Sequence, residues 1–113
     1  SKNILLLDLG RYHMMKVMQN QELAATELPE ALKCFEKYLA SSPEPRIPMK
    51  AFTLGLMSII ERFQGHEEEA RKIMHEASAL DPYFSRAMGI PTQLLFDPPD
   101  QISHHYFSFF SWF

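Results

Sequence analysis

The sequence is short of several things, and each shortage removes a class of protein. It has one cysteine, Cys34. A lone cysteine excludes an internal disulfide, and a Cys-x2-Cys zinc pattern needs two. Its place beside Ala31 and Phe35 predicts a buried structural thiol, and the chain is assigned to a reducing, cytoplasmic compartment. Glycine is scarce: four residues at Gly10, Gly55, Gly65 and Gly89 form no phosphate-cradling loop. No apolar run approaches the ~18 residues a membrane-spanning helix requires, and no signal-peptide pattern is seen. Basic excess is missing too. A formal net charge of −3 lacks the cationic footprint of nucleic-acid binding, so neither nucleic acid nor membrane is expected as a partner.

Catalytic and metal-binding patterns are equally sparse. The five histidines include no His-x3-His or His-Glu-x2-His spacing. His104 and His105 are adjacent, so their side chains diverge. Neither Cys34 nor any serine stands in the context of an activated nucleophile. The expectation is a non-enzyme with no cofactor and no metal.

The clearest positive signal is the stretch from Gly65 to Pro82. Gly65 and His66 read as a turn, and Glu67, Glu68 and Glu69 fill a first helical turn, where the helix dipole favours acids. Ala70, Ile73, Met74, Ala77 and Leu80 follow at i, i+3, i+4, i+7 spacing, the stripe of an amphipathic helix. Pro82 ends it, because the residue before a proline is pushed out of the helical region. The stretch has a fainter copy upstream. Ala31, Phe35, Tyr38 and Pro43 each precede Ala70, Met74, Ala77 and Pro82 by 39 positions, with the same residue type at both ends. That is an internal repeat.

The remaining elements follow from periodicity. Ile4 to Leu7, continued by Leu9, Tyr12, Met15 and Met18, predicts a helix from about Asn3 to Asn20, with Gly10 a weak point or a site of close packing. Leu28-Pro29-Glu30 is expected to open a second helix, with Pro29 in its first turn and a stripe of Leu28, Ala31, Leu32, Phe35, Tyr38 and Leu39. Residues 41–48 read as a proline-rich loop. A third helix, about Pro48 to Gln64, is apolar on nearly every side and should be the most buried. Tyr83 to Gly89 reads as a short capping helix. The last eight residues carry six aromatics; as a helix, Tyr106, Phe109, Phe110 and Phe113 would share a face, with Phe107 and Trp112 off it. That much aromatic surface is not left in water without cause.

Ala-x3-Phe followed by Pro, behind a glycine turn and an acidic run, resembles the second helix of a tetratricopeptide repeat (TPR). The resemblance spans roughly residues 4–85. It departs from the family in its period, about 34 residues there, in Met74 standing for Phe and Tyr38 for Ala, and in Leu9-Gly10-Arg11-Tyr12, whose Tyr falls one place early. It implies an all-α fold of antiparallel helical hairpins stacked as a short right-handed superhelix, with residues 1–91 forming two repeats plus the cap. Residues 92–113 would be an aromatic tail packing on the domain or on a neighbour. The family binds peptides or partner helices in a groove lined by first helices. By register, that groove would take His13, Lys16, Val17 and Asn20, then Phe52, Gly55, Leu56, Ile59 and Arg62, then Arg86. One subgroup clamps a carboxylate with lysine, asparagine and arginine. Lys16 and Asn20 match it outright and Arg86 by charge, whereas Leu56 and Ile90 replace an asparagine and an arginine.

The expected function is a protein-interaction scaffold whose partner is a protein or peptide. The alternative is a structural or accessory helical domain of a larger protein, an idea in keeping with a first residue of Ser1, with the groove filled by its own tail or by a dimer partner. In a homodimer, Tyr106, Phe109, Phe110, Trp112 and Phe113 would be the self-association element. A small-ligand carrier built on the Met- and Phe-rich interior is a third class.

Overall fold

A computed structural model describes residues 2–83, and all of its regular structure there is helical. The capping helix, Arg86 and the aromatic tail lie outside the described residues. Four α-helices and one 3₁₀ turn are formed among those described: α1 (Lys2–Gln19), the turn Gln21–Leu23, α2 (Ala24–Leu39), α3 (Ile47–Phe63) and α4 (Glu67–Leu80). They divide into two compact units at Arg46–Ile47. Among the described residues each unit holds one antiparallel helical hairpin, α1 with α2 and α3 with α4.

In the first hairpin, α1 buries Leu7, Gly10, Met14 and Val17, a stripe at i, i+3, i+7 and i+10. From α2 come Leu28, Ala31, Cys34, Phe35 and Tyr38. The two helices meet where Phe35 lies on Gly10. A Cβ placed on Gly10 would stand 2.7 Å from Phe35 Cδ1 and 2.9 Å from Cζ, closer than real carbons approach. Gly10 is therefore a site of close packing. The ~1 kcal/mol that glycine costs a helix interior is offset by full burial of the Phe35 ring, worth roughly 1.5–3 kcal/mol. Asn3 adds a tie at the open end, its side-chain amide donating to the Ser42 carbonyl at 3.1 Å. The Ser42–Pro43 peptide is cis.

One boundary departs from expectation. The second helix begins at Ala24, and Pro29 sits inside it rather than in its first turn. The 3₁₀ turn accounts for the early start. Asn20 is extended and its side-chain oxygen accepts from the Glu22 N–H at 3.1 Å, capping a turn that runs directly into α2. Helix is thus already under way when Pro29 is reached, and its cost is one lost bond to the Ala25 carbonyl.

The second hairpin follows the sequence closely. α3 buries Ala51, Thr53, Leu54, Gly55, Leu56, Ser58, Ile59, Ile60 and Arg62, residues from all round the helix, as its apolar composition predicts. Gly65 has a φ of +85°. His66 N–H donates to the Glu61 carbonyl and Gly65 N–H to the Arg62 carbonyl, at 2.9 and 3.0 Å. This pair of bonds around a left-handed glycine is the Schellman ending of a helix. α4 turns its small side chains inward, burying Ala70, Ile73, Met74 and Ala77, and Ser58 Oγ donates to the Ala70 carbonyl at 2.6 Å. Asp81, before Pro82, is extended, which ends the helix where the proline rule requires.

Both copies of the sequence repeat thus occupy equivalent places. Ala31, Phe35 and Tyr38 are buried in one second helix, and Ala70, Met74 and Ala77 in the other.

The Gly10–Phe35 contact gives a direct expectation. Gly10→Ala gains helix propensity but overpacks the contact, so the full chain should lose about 1–3 kcal/mol of unfolding free energy in denaturant titration. Combined with Phe35→Leu, much of the penalty of the alanine should disappear. An unchanged or raised stability for Gly10→Ala would show that the ring moves aside freely.

Candidate functional site

The outer side of α1 carries the least explained surface among the described residues. At 3.6 residues per turn, Leu5, Leu9, Tyr12 and Lys16 fall within an arc of about 60°, on the side away from the buried stripe. Leu5 is 63 %, Leu9 46 % and Tyr12 53 % exposed, and Ile4 is exposed beside them. Spacings of 4, 3 and 4 are those of a helix-packing seam, so α1 is apolar on two sides and only one is used within its hairpin.

A polar cluster closes one edge of this face. His13 Nδ1 and Lys16 Nζ both reach Glu27 of α2: His13 meets Oε2 in a short hydrogen bond, and Lys16 lies 3.4 Å from Oε1. The side chains of His13 and Glu27 are only 16 % and 17 % exposed. The Lys16 ammonium also stands 4.7 Å from the centre of the Tyr12 ring, within cation–π range. Hydrogen bonding from His13 chiefly holds the Glu27 carboxyl below its usual range; Lys16 adds to this and desolvation opposes it. The cluster pins α1 to α2 and holds Lys16 against Tyr12.

The groove residues expected from the sequence meet different fates. His13, Lys16 and Asn20 border the outer face, but each is engaged: the first two by Glu27 and Asn20 by the cap it makes. Val17 is buried within its hairpin rather than lining an open surface, because it falls on the Leu7–Gly10–Met14 stripe. Leu56 and Ile59 are fully enclosed and Arg62 is buried, with its Nη2 3.9 Å from Glu67 Oε1; α3 is covered on too many sides to offer them to a ligand. Gly55 is likewise buried and Phe52 half-buried. Arg86 and the tail residues Tyr106, Phe109, Phe110, Trp112 and Phe113 lie outside the described residues.

A carboxylate clamp at Lys16 and Asn20 is disfavoured on this geometry, since Glu27 already supplies Lys16 with a carboxylate. Sequence reasoning missed Glu27 because a helix expected to open at Leu28 leaves Glu27 in a loop. The signal that could have found it is Asn20 followed by Glu22, a capping pattern that starts helix early.

Cys34 is free and buried; desolvation, with help from Glu30 and against Lys37, pushes its thiol up, the opposite of an activated nucleophile. Desolvation also raises the Tyr38 phenol. Among the described residues no group of three or more His, Cys, Asp or Glu is placed to hold a metal ion. No described helix is long and apolar enough to cross a membrane.

The Glu27 cluster has a pH signature. A carboxyl depressed in the folded state stabilises the fold above its unfolded pKa and loses that contribution as pH falls through the folded value. Wild type should therefore melt above Glu27→Gln near neutrality, and the gap should close as pH drops below the ordinary carboxylate range. A gap that is constant with pH would remove charge from the account of this contact.

Compared with protein-family models, with curated proteins and with solved structures, the chain matches none.

Proposed function

We propose that the chain is a non-catalytic protein-interaction module of two divergent, TPR-like helical hairpins, and that it docks a partner helix on the outer face of α1. The observation that carries this reading is the exposed row Leu5, Leu9 and Tyr12 on a helix whose other side already packs in its hairpin. Helix-in-groove recognition uses anchors at this spacing, and an apolar row fixed on a regular helix costs little entropy to present. The TPR-like character is supported by the 39-residue repeat and by the burial of its matched positions in both second helices. In this reading Lys16 and Asn20 mark the polar end of the face, with Tyr12 as its central anchor.

The second reading is a structural domain whose apolar surface is covered by its own aromatic tail. It draws on the six aromatics of residues 106–113.

Selection from a displayed library of random helical peptides, with the full chain as bait and the Leu9→Glu variant as counter-bait, separates the two. Docking on α1 predicts ligands with apolar residues at i, i+3 or i+4, and i+7, whose binding falls at least tenfold on Leu9→Glu. Ligands indifferent to Leu9→Glu, or none, would overturn it. Recovery of ligands only after Tyr106, Phe109, Phe110 and Phe113 are all changed to Ser would establish the second reading.

A further inference from the structure

We infer that residues 84–113 cover the side of α3 turned away from α4, and so belong on the second hairpin rather than on the outer row of α1. Burial of α3 outruns what α4 can supply. α4 buries Ala70, Ile73, Met74 and Ala77, all within an arc of about 100° at 3.6 residues per turn. A helix with one such stripe covers one side of its neighbour. Ser58 marks that side of α3, since its Oγ donates to the Ala70 carbonyl at 2.6 Å. Thr53, Leu56 and Ile60 stand about 140–160° round α3 from Ser58, yet each is 0 % exposed. α4 is the described helix packed along α3, and one helix cannot enclose both sides of another. The enclosure is complete in a single chain, so no second copy is needed for it. In the same chain Leu5, Leu9 and Tyr12 remain 46–63 % exposed.

The chemistry of the covered side fits the segment. Met49 and Met57 flank the three enclosed residues, and Thr53 Oγ is satisfied within the helix by donating to the Met49 carbonyl at 2.7 Å. No charge falls on that arc, so its cover must be apolar. Residues 84–113 have the right composition. Arg86, Asp97 and Asp100 are their only charged side chains, three in 30 residues, where the whole chain is 22 % charged. The outer side of α2, by contrast, carries Glu30, Lys33, Glu36 and Lys37, all of them exposed. Length suffices as well. α4 runs antiparallel to α3 and ends at Leu80, level with the start of α3. The 17 residues of α3 span about 25 Å, and 30 residues span about 45 Å even when wound as helix.

Methyl NMR on the full chain, with leucine and isoleucine methyls labelled, tests this directly. The Leu56 and Ile60 methyls should give nuclear Overhauser contacts to residues 84–113. A soluble nitroxide should broaden the Leu5 and Leu9 methyls several-fold more than those two. Contacts from Leu56 and Ile60 confined to residues 1–83 overturn the inference, as does broadening of their methyls equal to that of Leu5 and Leu9. Contacts from Leu5 or Leu9 to residues 84–113 place the segment on α1 and overturn it too. So do contacts to residues 84–113 that appear only between differently labelled copies in a mixed sample. Docking on α1 is judged separately, by peptide ligands that ignore Leu9→Glu.

Discussion

The first hairpin depends on the absence of a side chain at Gly10. With no Cβ, the backbone of α1 accepts the Phe35 ring directly, and that contact fixes the rotation of α1 about its axis. Once that rotation is set, the rest follows. Leu7, Met14 and Val17 turn inward, His13 and Lys16 come level with Glu27, and Leu5, Leu9 and Tyr12 turn outward. The second hairpin buries small residues of α4, Ala70 and Ala77, together with Met74, which stands at the repeat position of Phe35. Met is the adaptable member of that pair.

The exposed row on α1 is a consequence of packing one side of a helix that is apolar on two. A helix with a single stripe would have satisfied the hairpin. The apolar members of the second row are not buried in the hairpin and expose large side chains to water, which is where the proposed function begins. The Glu27 cluster holds Lys16 and sets its ammonium over the Tyr12 ring.

Much of the architecture was legible in the sequence. Gly65, the acidic run after it, the Ala70–Ala77 stripe and Pro82 each specify a local conformation strongly, and α4 runs where they require. The all-round apolarity of α3 gave its burial. Two things were not legible. The start of α2 was hidden because Pro29 is a stronger start signal than Asn20, and the cap at Asn20 acts through a 3₁₀ turn that propensity alone does not reveal. Which row of α1 faces inward was hidden for a different reason. The Leu9, Tyr12, Met15, Met18 row and the Leu7, Gly10, Met14, Val17 row are both periodic, and only the contact with Phe35 decides between them. The site shows the same gaps: Glu27 was overlooked, and Val17, placed in a groove by the register of the family resemblance, is buried in its hairpin.

The central claim is that the two apolar rows of α1 have separate jobs, one holding the hairpin and one left for a partner. The most direct measurement is the unfolding free energy of two single variants of the full chain at dilute concentration. Leu7→Ala should cost about 2–5 kcal/mol, whereas Leu9→Ala should stay within about 0.5 kcal/mol of wild type. Equal losses for the two would contradict the account, because Leu9 would then be core.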